Sequence, residues 1–180
     1  HLGVENALML TLQQIAEKHN IVLIGSSHSQ MFQELIEKLT ALKGRVVILI
    51  DEYDKPIIDF LEKEKRPIAE QNRAALRQFY SIIKDADPYI EFFLMTGVSK
   101  FSQTGIFSNL NHLNDLTLDQ KFVNLVGYTP NELNQYFAEW LDYAAQSFPD
   151  LSKEQFMAHI RLWYNGYSWD GINTVYNPYS

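Results

Sequence analysis

At 180 residues, with 46% hydrophobic and 13% aromatic side chains, the chain has the size and composition of one medium domain, or of a domain with a small appendage, and suffices for a real core. No apolar run approaches the roughly 20 residues that span a bilayer, and the absence of cysteine excludes a disulfide scaffold, a thiolate zinc site and a cysteine nucleophile. A formal charge of −7 gives no general attraction to nucleic acid or anionic lipid, and with nothing resembling a secretory leader the expected location is cytoplasmic.

The first residue is His1 and a helical pattern begins at once, so the amino end reads as a fragment boundary. Leu8, Leu12, Ile15 and Ala16 recur at helical spacing and predict an amphipathic helix over Val4 to His19. Ile21 to Ile24 reads as a short buried strand ended by Gly25, and Ser29 to Leu42 as a helix with Phe32, Leu35, Ile36 and Leu39 on one face. Lys43-Gly44 stop that helix. Next come an apolar run from Val46 to Ile50, a short helix after Pro56, a charged break at Glu62 to Pro67, and a longer helix from Ile68 to Ala86 ended by Asp87-Pro88. Glu91 to Thr96 is the third predicted strand. Helix and strand alternate throughout, which predicts a parallel α/β sheet with crossover helices.

Beyond Phe101 the texture changes. Ser102 to Asn114 is rich in Ser, Asn and Gly, and Leu113 to Leu118 suggests an edge strand. Thr129 or Pro130 opens a helix with Glu132 in its first turn and a buried stripe of Leu133, Tyr136, Phe137 and Trp140. Ser152 to Trp163 is a further helix, and Asn165-Gly166 and Asp170-Gly171 mark turns in an aromatic tail. The expected organisation is an α/β core over residues 1–118 and a helical lid over 119–180.

Val46 to Pro56, VVILIDEYDKP, carries the most chemistry. Its five apolar residues do not alternate, as expected for a strand buried on both faces at the centre of a parallel sheet. Asp51 and Glu52 follow at the carboxyl end, where open α/β sheets place their sites. This is the Walker B pattern. There Asp51 suits Mg²⁺ held through its waters, and Glu52 suits orienting or deprotonating an attacking water. A solvated pair, or one that caps the next helix, is the bland reading. No Gly stands directly before a Lys, so the phosphate-cradling GxxxxGK[ST] is absent from these residues.

Several motifs occur together: Ile50-Asp51-Glu52-Tyr53-Asp54-Lys55-Pro56, Thr96-Gly97-Val98-Ser99-Lys100-Phe101-Ser102, Phe107-Ser108-Asn109-Leu110-Asn111, Gly127-Tyr128-Thr129 and Trp163-Tyr164-Asn165-Gly166-Tyr167. From about Asn20 onward the sequence resembles the predicted AAA-ATPase-like family of bacterial proteins. The resemblance implies a P-loop NTPase-like parallel sheet, here without its first strand and P-loop. ATP and Mg²⁺ are the implied cofactors, and many members carry a PD-(D/E)XK nuclease-like domain after this region. It also implies Mg²⁺ coordination for Asp51 and water activation for Glu52. The tip of the Glu91 strand matches sensor 1, with Thr96 first and Ser99 second, while Lys100 is a phosphate contact or a solvated lysine.

Rival constellations fit less well. A carboxylate cluster of the haloacid-dehalogenase type needs D-x-D, and Tyr53 stands at the second position after Asp51. That makes Asp54 a helix cap or a partner of Lys55. Gly25-Ser26-Ser27-His28-Ser29 lacks the final Gly of a nucleophile elbow and better describes a Ser-capped helix entry. The five histidines show no i,i+4 pair. Arg73 and Arg77, one turn apart, are a candidate arginine finger in a self-associated ATPase or simply solvated. The aromatic tail reads as a packed corner rather than a base-stacking platform. The sequence therefore predicts the Walker B and sensor half of an ATPase site, with weak ATP binding by the chain alone. The alternative is a non-catalytic nucleotide-sensing or protein-interaction module. Oligomeric state and any nucleic-acid target stay open.

Overall fold

The computed structural model describes residues 3–98 and 113–177. The chain divides into two units, His1–Leu113 and Asn114–Ser180. Ser99, Lys100 and the Phe107 to Asn111 motif lie outside the described residues.

In the first unit the order is α1 (Val4–Lys18), α2 (His28–Lys43), β1 (Val46–Ile50), α3 (Lys55–Ile58), α4 (Arg66–Asp85) and β2 (Ile90–Met95). Each helix has a local reason to start or stop. Ser27 accepts from the Gln30 amide to cap α2, Gly44 ends it at a φ of 87°, and Pro occupies the first turns of α3 and α4. The apolar faces of α1, α2 and α4 meet around Leu12, Met31, Leu35, Leu76, Phe79 and Ile83, with Phe32 of α2 stacked on Phe79 of α4 at 4.2 Å. Burying a Phe or Leu side chain contributes about 1.5–3 kcal/mol, so this helical seam dominates the unit's stability.

β1 and β2 pair in parallel, Ile48 with Phe93 and Ile50 with Met95, and form a two-stranded sheet. The unit is a mixed α/β structure with a small parallel sheet. Burial on both faces of β1 is not observed. Val46, Ile48 and Ile50 pack on the core, whereas Val47 and Leu49 are exposed, as is Phe92 beside Val47. Helices cover one face only among the described residues, so an unalternating sequence yields an alternating burial pattern.

The strand expected at Ile21 to Ile24 is also corrected. The segment forms no strand, and α2 takes its polar groups: the Lys38 ammonium donates to the Val22 carbonyl at 2.7 Å, and one Glu34 oxygen accepts from the Ile24 and Gly25 amides. Backbone groups satisfied by side chains need no strand partner. These contacts hold the Glu34 carboxyl below its ordinary value, the Lys38 hydrogen bond first and the Ile24 amide next.

The second unit contains α5 (Pro130–Tyr136), α6 (Ala138–Ala145), α7 (Lys153–Tyr164) and an antiparallel pair, β3 (Asn165–Tyr167) and β4 (Val175–Tyr176). Thr129 and Ser152 each complete a reciprocal capping box, with Glu132 and Gln155. Leu113 to Leu118 forms no strand; the chain there turns, with the Asp115 carboxylate accepting from the Thr117 amide. The single helix expected from Thr129 to Trp140 breaks at Phe137. Of its predicted buried stripe, Leu133 and Phe137 are half-buried while Tyr136 and Trp140 are exposed. The packed aromatic corner is partial as well: Tyr176 is buried, but Trp163 and Tyr167 are exposed. Asn165-Gly166, expected as a turn, begins β3.

Candidate functional site

The site lies at the carboxyl ends of β1 and β2. Beyond the strands the ladder continues: the Thr96 amide donates to the Ile50 carbonyl and the Tyr53 amide to the Thr96 carbonyl, both at 2.9 Å. A regular parallel ladder spans two residues between such bonds, and here it spans three. Asp51 and Glu52 therefore form a bulge opposite Thr96. Glu52 pays for it with a φ of 51°, a left-handed conformation that costs a non-glycine residue roughly 1–2 kcal/mol. Bulges re-aim side chains at the rims of sheets.

Asp51 and Thr96 are brought together. The Thr96 hydroxyl donates to Asp51 Oδ1, and the Glu52 amide donates to the same oxygen at 3.0 Å. Asp51 Oδ2 and the Glu52 carboxylate have no hydrogen-bond partner among the described residues, and both side chains belong to exposed residues. The next turn is closed by the Lys55 amide donating to the Glu52 carbonyl at 3.0 Å.

Two neighbours were not recognised as site residues from sequence. Gly97 follows Thr96, and a β-carbon there would lie 2.6 Å from the Tyr53 ring and 2.8 Å from Asp54 Oδ1, so only glycine lets the two loops approach. Asp54 is 1% exposed. Asp54 is the N-cap residue of α3, its carbonyl accepting from the Ile57 and Ile58 amides without a side-chain cap bond, while Lys55 pairs with Asp59 at 3.2 Å. Tyr80 of α4 is buried alongside: burial pushes its phenol pKa upward, and the nearby Tyr53 and Asp54 add to the shift. The sequence signal for Gly97 is its place directly after Thr96 in the Thr96-Gly97-Val98-Ser99-Lys100-Phe101-Ser102 motif.

The other candidates do not join this group. Arg73 and Arg77 are exposed on α4. His28 is buried, its Nε2 3.1 Å from the Ala75 carbonyl, and belongs to the helical seam. Among the described residues no three His, Asp or Glu side chains converge as a metal cage. One or two carboxylates at a strand end suit Mg²⁺, which keeps most of its water and takes phosphate oxygens as further ligands.

A family model described as a predicted AAA-ATPase matches residues 3–107. The chain belongs to this family. The match covers all but the first two and the last residues of the first unit, including both strands and the carboxylate bulge. The chain is also 44% identical over 149 residues to an uncharacterized protein encoded in the vnfD 5′ region of Azotobacter chroococcum mcd 1. That alignment takes in 82% of this chain and 26% of the relative, so the chain spans about a quarter of that relative's length. No solved structure matches. No helix among the described residues is long and apolar enough to cross a membrane.

Proposed function

We propose that this predicted AAA-ATPase family chain carries the hydrolytic half of a P-loop-type ATP site. The supporting observation is the bulge: it joins Asp51 to Thr96 across adjacent strand ends, while the Glu52 carboxylate has no partner among the described residues. In this reading Asp51 holds Mg²⁺ through water, using the oxygen left open beside its Thr96 and Glu52 contacts. Bound Mg²⁺ would neutralise charge developing on the transferred phosphoryl group. Glu52 accepts a proton from, or orients, the attacking water. A positioned general base contributes typically about 10²–10⁴-fold.

Thr96 is the sensor residue. Its hydroxyl gives its one hydrogen to Asp51 and keeps acceptor lone pairs to which the attacking water can donate; contact with a phosphate oxygen would redirect that hydrogen from Asp51. Ser99 and Lys100, beyond the described residues, complete the proposal as the second sensor hydroxyl and a phosphate contact. The phosphate-gripping Gly-rich loop is to come from the rest of the protein, together with the remaining sheet of a P-loop fold. The second unit acts as a helical lid. A nuclease-like domain, self-association and a cytoplasmic location complete the proposal for the whole protein.

The test is steady-state phosphate release from Mg·ATP by the intact protein and its Glu52→Gln form. Loss of turnover by about 100-fold or more with ATP affinity retained supports the ATPase reading. No turnover in either form, with ATP bound by both, favours a nucleotide-sensing module.

A further inference from the structure

We propose that Asn72 of α4 is a positioning residue for Glu52: its buried amide holds the Pro56 carbonyl, and through the single turn of α3 it fixes the downstream end of the carboxylate bulge. This deepens the ATPase reading of the site and rests on it.

Asn72 stands in the buried stripe of α4 between Ala69 and Leu76, where helical spacing calls for an apolar side chain. It is 7% exposed, and an amide is costly to bury unless it is hydrogen-bonded. The bond is present: Asn72 Nδ2 donates to the Pro56 carbonyl at 2.6 Å. A carbonyl can only accept, so the amide nitrogen is the atom that faces it. Pro56 calls for such a donor because α3 ends at Ile58. In a continuing helix the Phe60 amide would reach the Pro56 carbonyl; here it donates to the Ile57 carbonyl at 3.1 Å.

The backbone between Glu52 and this anchored carbonyl is a bonded turn. The Glu52 carbonyl accepts from the Lys55 amide at 3.0 Å, and the Asp54 carbonyl from the Ile57 and Ile58 amides at 2.9 and 3.0 Å. The proline ring fixes φ at Pro56, which removes slack from the connection. Upstream, the Thr96 amide holds the Ile50 carbonyl, and the Tyr53 amide donates to the Thr96 carbonyl. Glu52, at a φ of 51°, therefore sits between two anchors. Left-handed non-glycine residues persist where their surroundings over-determine them. Thr96 supplies the upstream constraint, and Asn72, with the buried Ile57, supplies the downstream one. Without the amide, α3 shifts and Glu52 relaxes to an ordinary φ, which turns its carboxylate from the water it activates.

The experiment uses the intact protein and compares Asn72→Leu, of similar size and without a donor, with Ile83→Val, a truncation in the buried seam farther along the same helix. Hydrogen–deuterium exchange over residues 50–58 is read with kcat, Mg·ATP affinity and thermal melting. In Asn72→Leu the Lys55, Ile57 and Ile58 amides are expected to exchange faster by about tenfold or more, with the amides of α2 unchanged. Turnover per folded molecule falls by about tenfold or more while Mg·ATP affinity stays within about twofold. Ile83→Val lowers the melting temperature with neither change. If Asn72 only supports the fold, Asn72→Leu behaves as Ile83→Val does, and that result overturns the proposal. Turnover lost without faster exchange, or faster exchange with turnover retained, overturns it as well. Should Asn72→Leu fail to fold, Asn72→Ala decides by the same readouts. An intact wild type without turnover sinks the ATPase reading instead, and the α3 anchor then stands or falls on the exchange alone.

Discussion

The two units of this chain are stabilised in different ways. In the first, helices α1, α2 and α4 bury a continuous apolar seam, and the sheet that carries the candidate site rests on it. In the second, the buried apolar residues among those described are Val123, Phe156, Val175 and Tyr176, and order comes from two capping boxes, the reciprocal Tyr128–Tyr176 backbone bonds and an Asp170 turn. Hydrophobic burial is worth several times more per residue than a cap or a surface ion pair. The contrast is instructive: a strained residue such as Glu52 is tolerated where a core over-determines its surroundings, and the site accordingly lies on the first unit.

Four substitutions or titrations put that contrast at risk. Phe79→Ala removes the ring stacked on Phe32 in the first seam and is expected to cost about 3–5 kcal/mol, read by denaturant unfolding. A cost below about 1 kcal/mol would mean that the seam is not the main stabiliser. In the second unit, Ser152→Ala deletes the acceptor of the Gln155 amide at the start of α7 and should cost about 1 kcal/mol in the same assay. Trp140→Ala, at a residue 72% exposed on α6, should change stability by no more than about 0.5 kcal/mol although a large aromatic is lost. A cost comparable to that of Phe79→Ala would erase the distinction between the units.

The smallest effect is the titration of Asp170. Amide donors from Ile172 and Asn173 hold its carboxyl at about 2, below the ordinary 3.8. The folded value is the lower one, so the turn's contribution is complete above about pH 4 and is lost as pH falls toward about 2. Carboxyl chemical shifts followed from pH 6 to 1.5 should place the Asp170 midpoint near 2, and Asp170→Asn should remove that acid-range dependence. A midpoint at the ordinary value would show that the turn does not form in solution.

Much of this was legible in the sequence wherever a local rule decided the outcome. The helical spacing of Leu8, Leu12, Ile15 and Ala16 marked α1, a serine cap within Gly25 to Ser29 and the stop at Lys43-Gly44 bounded α2, and the apolar run at Val46 marked β1. The positions that misled were those settled by tertiary context. Ile21 to Ile24 has strand composition, but Glu34 and Lys38, a helix turn apart on α2, take over its backbone groups. Tyr136 and Trp140 have core spacing without a surface to cover them. At the site, the Asp51-Glu52 pair and Thr96 were readable as residue types at the ends of neighbouring strands. The bulge at Asp51 and Glu52 was not, because it depends on a three-residue step in the ladder. Nor was the burial of Asp54 against Gly97, since adjacency in space left no mark at either position.

Glu52 as the water-activating residue is the central claim, and the chemical step itself tests it. The intact protein and its Glu52→Gln form are incubated with Mg²⁺ and γ-labelled ATP, freed of unbound nucleotide, and the bound nucleotide is analysed. The account predicts ADP on the wild type and intact ATP trapped on the variant. Equal conversion to ADP by both forms would contradict it.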